Sequence, residues 1–192
     1  MTSVAPTQES QVRRNRPSSV HHFAWQVTDQ ETNRQFFEDM IGLPLIASFS
    51  DESDVEPGLK FCHTLYELGD GNSLSFFQLL GDSAQVNTSA FDRFNHIALR
   101  ADAATQQEVH ERLLAANYEH TIQDHGWTVS LYVRSPDGIC IELAVDTERA
   151  KDVFRRRRID PHGELRKWMS GDHTPNSDDT NNPEPVKRYP AS

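Results

Sequence analysis

Cysteine is scarce in this chain: Cys62 and Cys140 are the only two in 192 residues. Two thiols make at most one bridge, so the disulfide framework that staples many small secreted domains is excluded. Both sit in strand-like contexts far apart in the sequence, and the expectation is a reduced, cytoplasmic protein. Long apolar runs are missing as well. Nothing approaches the roughly 18 apolar residues of a membrane span, and no apolar h-region lies near the N-terminus. Arg13 and Arg14 form an arginine pair, but polar residues follow them, so no export signal is expected. Positive charge is in deficit, with 19 Lys+Arg against 29 Asp+Glu and a formal net charge of −10. A chain of that sign repels phosphate backbones and anionic bilayers, which argues against nucleic acid and membrane as partners.

What is present is aromatic and unevenly distributed. Residues 1–17 and 171–192 carry Pro, Asn, Asp and Ser with little core material, and are expected to be a flexible arm and a disordered tail. Residues 18–146 hold nearly all the large apolar side chains and form the expected domain. Inside it the chain repeats itself, 18–82 against 94–146. His22-Phe-Ala-Trp-Gln-Val27 and His96-Ile-Ala-Leu-Arg-Ala101 share one alternating frame, so each reads as a half-buried strand. A helix signal follows each: Asp29 or Thr32 before Phe36, Phe37, Met40 and Ile41, ended by Gly42; and Asp102 before Val109, Leu113 and Leu114, closing near Asn117. Hairpins come next, turning at Gly69–Ser73 and at Ser135-Pro-Asp-Gly138. The fold class expected is therefore α+β: two βαβββ modules curled as a mixed sheet around a cleft. Residues 147–170 read as a helical extension, with the run Arg155–Arg158 as a solvated helix end and Leu165 and Trp168 as anchors.

Three side chains stand out. His22 and His96 open equivalent strands, and Glu142 lies in Ile-Cys-Ile-Glu-Leu, on one face with Cys140 and Ala144. A carboxylate on an apolar strand is costly to bury unless it is paired or ligated. Two neutral imidazoles and a carboxylate form a facial triad that suits non-haem Fe(II) and leaves positions open. His21, next to His22, points the other way. Gln78 occupies the place in the first module read as matching Glu142, and is a possible fourth ligand.

The duplicated modules and these three residues resemble the vicinal oxygen chelate superfamily, which includes glyoxalases, fosfomycin-resistance proteins, methylmalonyl-CoA epimerases and extradiol dioxygenases. Phe36-Phe-Glu-Asp-Met-Ile-Gly-Leu-Pro-Leu45 is similar to its first-module segment. Ser130-Leu-Tyr-Val-Arg-Ser-Pro-Asp-Gly-Ile-Cys-Ile-Glu-Leu143 resembles the extradiol branch, in which a tyrosine precedes the ligand glutamate by ten positions; here these are Tyr132 and Glu142. The resemblance implies Fe(II) held by His22, His96 and Glu142, with Zn(II), Ni(II), Co(II) or Mn(II) as alternatives, an aromatic vicinal diol as substrate, and O₂ as co-substrate. It also implies that Tyr132 orients the chelate, and that a homodimer is formed, for which Leu165, Trp168 and Met169 are one candidate surface. His125, or His63, is the candidate acid or base, because the run Asp70–Phe77 lacks the histidine that this branch carries there. Leu74, Phe76 and Trp127 are expected as apolar pocket wall, or else as core. The alternatives to a dioxygenase are a lyase, isomerase or epimerase using the cation as Lewis acid, and a protein that binds a small molecule without turnover.

Overall fold

The computed structural model describes residues 17, 19–53, 56–81, 95–175 and 186–190. Most of the expected N-terminal arm, and 176–185 and 191–192 of the tail, lie outside the described residues. The first module runs β1 (His22–Gln26), α1 (Gln30–Arg34) continuing as a π-helical stretch (Gln35–Ile41), β2 (Leu45–Glu52), β3 (Lys60–Glu67) and β4 (Ser73–Leu79). The second runs β5 (Ile97–Arg100), α2 (Ala103–Ala115), β6 (His120–Asp124), β7 (Thr128–Arg134) and β8 (Cys140–Asp146). Then follow α3 (Ala150–Arg157), α4 (Pro161–Met169) and β9 (Lys187–Tyr189). The strands form two sheets, ordered β1-β4-β3-β2 and β5-β8-β7-β6-β9, with β1–β4 and β5–β8 parallel and the other pairs antiparallel. The βαβββ duplication is thus present, as a four-stranded and a five-stranded sheet.

The helix of each module starts where an aspartate accepts from the backbone three residues on: Asp29 from Thr32 N and Asp102 from Thr105 N, both at 2.7 Å. The π stretch has a packing consequence. Its wider turn brings the adjacent Phe36 and Phe37 both into the core. Phe37 stacks on Phe76 at 4.4 Å, while Phe36 meets Tyr118 of the second module at 5.8 Å. One apolar cluster therefore runs through both modules, from Tyr66, Leu74 and Phe76 to Leu113, Leu131 and Ile141. Gly42 ends the π stretch with φ +89, and a Cβ there would lie 2.9 Å from Arg112 Nη2. That space is needed because Arg112, from α2, donates to the carbonyls of Met40 and Ile41 and so satisfies the helix end across the module boundary.

The C-terminal extension departs from expectation twice. Leu165, Trp168 and Met169 are 58%, 60% and 77% exposed, so they do not anchor α4 on its own domain. The tail, expected to lack structure, supplies β9, which pairs with β6 from His120↔Tyr189 to Ile122↔Lys187. Polar composition hid it, since a three-residue edge strand needs only one side chain to dock. That side chain is Tyr189, stacked on the His120 ring at 5.0 Å and edge-on to His110 at 4.7 Å. His120 Nδ1 lies 2.7 Å from the Tyr118 carbonyl and must donate to it, which leaves Nε2 to accept from His110 Nδ1 at 2.8 Å. The pair is satisfied when both rings are neutral.

Two predictions follow from this packing. Phe37→Ala, which empties a fully buried site, lowers the unfolding free energy by about 3–5 kcal/mol, and Leu165→Ala changes it by less than about 0.5 kcal/mol, measured by chemical denaturation. Burial, then the neighbouring His120, holds the His110 pKa below its ordinary value, opposed by Glu111. Burial and His22 act likewise on His63. The unfolded chain then binds more protons below about pH 6.5, so stability is complete above that pH and falls as the pH drops beneath it. Thermal melts between pH 7.5 and 5 should show this loss, with a shallower slope in His110→Gln; a flat profile would contradict it.

Candidate metal centre

Strand parity sets the cleft face of the second sheet. Ala98, Glu142, Tyr132 and Thr121 lie directly opposite one another across β5, β8, β7 and β6. The other face carries Ile141, Leu143, Leu131 and Val133, all in the core under α2. Glu142 is only 6% exposed, and an ionised carboxylate at that depth needs partners. It has two. Ser130 Oγ donates to Oε1 at 2.5 Å, and His96 Nε2 lies 2.7 Å from Oε2. Two donor atoms bound to one cation at about 2.1 Å each on adjacent positions lie about 3 Å apart, so His96 and Glu142 are already spaced as a pair of ligands. Ser130 is the kind of outer hydrogen bond that fixes a ligating carboxylate. The other His96 nitrogen, Nδ1, is buried without a hydrogen-bond partner among the described residues, so the ring's polar anchor there is Glu142.

Tyr132 sits beside this pair, its ring edge-on to His96 at 5.7 Å. Burial, and then the Glu142 charge, push its hydroxyl pKa up to about 12, so it stays a neutral donor throughout the physiological range. His125 Nε2 lies 3.1 Å from the Tyr132 hydroxyl. The loop holding His125 is pinned by Asp124, which accepts from Gly126 N, and by pairing of His125 N with the Thr128 carbonyl. Tyr132 and His125 also border a hollow of about 800 Å³ that extends over β6.

The first module contributes less than expected. His22 lies exposed at the start of β1, its Nδ1 2.8 Å from His21 Nδ1, and among the described residues no trio of His, Cys, Asp or Glu converges on a common point. Within one chain, His22 is therefore not brought to the His96–Glu142 pair; the two belong to different sheets, and no strand pairing links them. Gln78 is also displaced. β1 pairs Ala24 with Ser75, as β5 pairs Ala98 with Glu142, so the first-module counterpart of Glu142 is Ser75. Gln78 lies on the opposite, helix-facing side and accepts from Gln30 N at 2.9 Å, which removes it as a fourth ligand. Leu74 and Phe76 share that side and are core, at 2% and 0% exposure, rather than pocket wall. Trp127 packs edge-on against Phe154 of α3 at 5.1 Å, away from the hollow.

His63 is on the cleft face of its own sheet, 2.6 Å from Ser75 Oγ and stacked on Phe77 at 4.0 Å. Sequence reasoning missed Ser130, whose role shows only through the diagonal Ser130–Glu142 contact across two strands. Its alternation with Tyr132 was the available signal.

Comparison with known proteins bears on this arrangement at the level of the fold. The family model for the Glyoxalase/Bleomycin resistance protein/Dioxygenase superfamily matches residues 19–143. Among solved structures, a glyoxylase/bleomycin resistance protein/dioxygenase domain from Frankia sp. EAN1pec is 16% identical, with a TM-score of 0.56 over 69% of this chain and 95% of that one. The fosfomycin resistance protein FosX of Listeria monocytogenes is 21% identical, with a TM-score of 0.52 over 70% of this chain and 98% of that one. A mutant of that FosX, solved with Mn(II) and 1S,2S-dihydroxypropylphosphonic acid, is 20% identical with a TM-score of 0.51, over 71% and 98% of the two chains. No curated protein matches. With its family model spanning both modules, the chain belongs to the glyoxalase/bleomycin resistance/dioxygenase superfamily, the vicinal oxygen chelate fold.

Proposed function

We propose that this chain is a metal-dependent enzyme whose substrate chelates the cation through two adjacent oxygens, and that its reaction is extradiol cleavage of a catechol-like diol over Fe(II). The observation that carries the reading is the register that sets Tyr132 directly opposite Glu142, with His125 in hydrogen-bond reach of the tyrosine hydroxyl. When bound, the cation supplies Lewis acidity and a path for electrons between diol and O₂. His96 and Glu142 hold it in this chain, and Ser130 keeps the carboxylate aimed. Tyr132 retains its proton and donates it in a hydrogen bond to a substrate oxygen. His125, within hydrogen-bond reach of that hydroxyl oxygen, is the acid or base of the site, taking the place of the histidine missing from Asp70–Phe77. Ser75 in the fourth-ligand place favours a three-residue set with open positions over the four-ligand set of a Lewis-acid isomerase.

The third ligand is His22. Since His22 does not reach the pair within one chain, we assign it to His22 of the partner subunit in a symmetric dimer, with each cleft built from the first module of one copy and the second of the other.

Mixing variants tests that assignment. His22→Ala and Glu142→Ala homodimers should each fail to retain metal. Co-refolded at equal amounts, they should regain about a quarter of the wild-type metal content, because half the dimers are mixed and each mixed dimer has one intact site of two. No recovery would exclude a shared site. The reaction is tested by reconstituting the protein anaerobically with Fe(II) and measuring oxygen uptake across a panel of catechols, with Tyr132→Phe expected to be slower by about 10²-fold or more. Absence of uptake would remove the dioxygenase reading. Oxygen-independent turnover with Zn(II), Ni(II), Co(II) or Mn(II) would assign a lyase or isomerase instead, and ligand binding that survives Glu142→Ala without metal would assign a binding protein.

A further inference from the structure

The rank of cleft-facing side chains in the second sheet does not stop at β6. β9 extends it by one residue, so that Ala98, Glu142, Tyr132, Thr121 and Arg188 lie in register across five strands. Arg188 stands three strand spacings from Glu142, about 14 Å at about 4.8 Å each. Tyr132, the neighbour of Glu142 in this rank, and Arg188 both line the hollow of about 800 Å³. Its permanently charged lining is Arg134 and Arg188 against one acid, Glu119. In a chain of net charge −10, this is a local reversal of sign. Arg134 already donates to the Gly138 carbonyl, which holds it at the turn between β7 and β8. Arg188 forms no ion pair with any carboxylate among the described residues. Its strand is held by three backbone pairs and by the Tyr189 ring stacked on His120. It also lies beyond residues 19–143, the part of the chain matched by the family model. The guanidinium is thus carried to the cleft face by a strand outside the two modules, whose docking residue is its neighbour.

We propose that Arg188 is a substrate-binding residue, and that the substrate carries an oxyanion, a carboxylate or phosphonate, at the end remote from its chelating oxygens. The inference rests on the chelate reading above and narrows it from catechols in general to anionic ones. The planar guanidinium fork matches either oxyanion by paired N–H donors, and its long stem spans the far half of the hollow. Arg134 adds a second positive charge on the same wall.

The test is calorimetric titration of the full-length Zn(II)-loaded protein. Catechol is compared with 3,4-dihydroxybenzoate and 3,4-dihydroxyphenylphosphonate, and phenol with 4-hydroxybenzoate, which has no vicinal diol. A ring carboxylate or phosphonate should tighten binding by about tenfold or more, the better of the two identifying the oxyanion. Arg188→Met should reduce that ratio to about twofold or less, Arg188→Lys should leave an intermediate ratio, and Tyr189→Ala should lower it by releasing β9 while Arg188 remains in the chain. Equal affinities in the wild type, or a ratio that survives Arg188→Met, would overturn the proposal and leave Arg188 as a charge guarding a sheet edge. If 4-hydroxybenzoate outbinds phenol through Arg188 while no diol binds better than its monohydroxy counterpart, the oxyanion site stands and the chelate reading falls.

Discussion

The second module is organised around one buried carboxylate. Glu142 sits on a central strand with apolar neighbours on the opposite face, where a lone ionised group would cost several kcal/mol. Its hydrogen bond from Ser130 and its contact with His96 compensate part of that cost and fix both side chains. Each requires a particular strand pairing: Ser130 faces the cleft only because β7 meets β8 with Tyr132 opposite Glu142, and His96 reaches it only because β5 lies parallel to β8. A one-residue slip in either pairing would turn Glu142, or its partners, into the core. The same parity that buries Leu143 and Ile141 under α2 therefore presents the acid to the cleft.

The duplication shows how the two modules diverged around this feature. In the first, His63 meets Ser75 across the same pair of strands that in the second bring Ser130 to Glu142. The diagonal is kept and the side chains differ: a hydroxyl stands where the acid would be, and an imidazole where the hydroxyl would be. At this position the second sheet offers a carboxylate and the first a hydroxyl. The modules nevertheless share a core. Arg112 closes the π stretch of the first from the second, and Thr28 donates to Asp137 at 2.6 Å across the same boundary.

How far this was legible in the sequence depends on what each feature needs. Alternation alone placed Glu142, Cys140 and Ala144 on one face, and Ser130, Tyr132 and Arg134 on another strand's matching face, and the structure pairs those faces. The aspartate caps and the glycine end of the first helix were equally local and readable. Register is not local. Matching Gln78 to Glu142 by sequence position missed the counterpart set by strand pairing, Ser75, three residues away. An odd offset moves a side chain to the opposite face, which is why Gln78 ended as a cap for α1. The same parity decides Leu74 and Phe76, expected as pocket wall or core, in favour of core. The π stretch was hidden because Phe36-Phe37 fits an ordinary helix pattern until both rings prove buried. The separation of His22 from His96 and Glu142 depends on how two sheets are arranged, which no spacing along the chain encodes.

β9 illustrates a different limit. Docking it uses one aromatic ring against a histidine pair, and the histidines come from α2 and β6 rather than from the tail. Neither partner signals the contact by its own local pattern: His110 looks like a polar helix residue, His120 like a strand start, and Tyr189 like an isolated aromatic in a polar tail. Yet His120 is only 4% exposed, and such burial of an imidazole requires that both its nitrogens be used. Nδ1 goes to the Tyr118 carbonyl and Nε2 to His110, leaving the ring face as the surface that Tyr189 covers. Satisfying two histidines thus fixes the place of a strand beyond the duplicated modules. The sheet gains a fifth strand on the side away from β5, and its cleft face ends in an arginine.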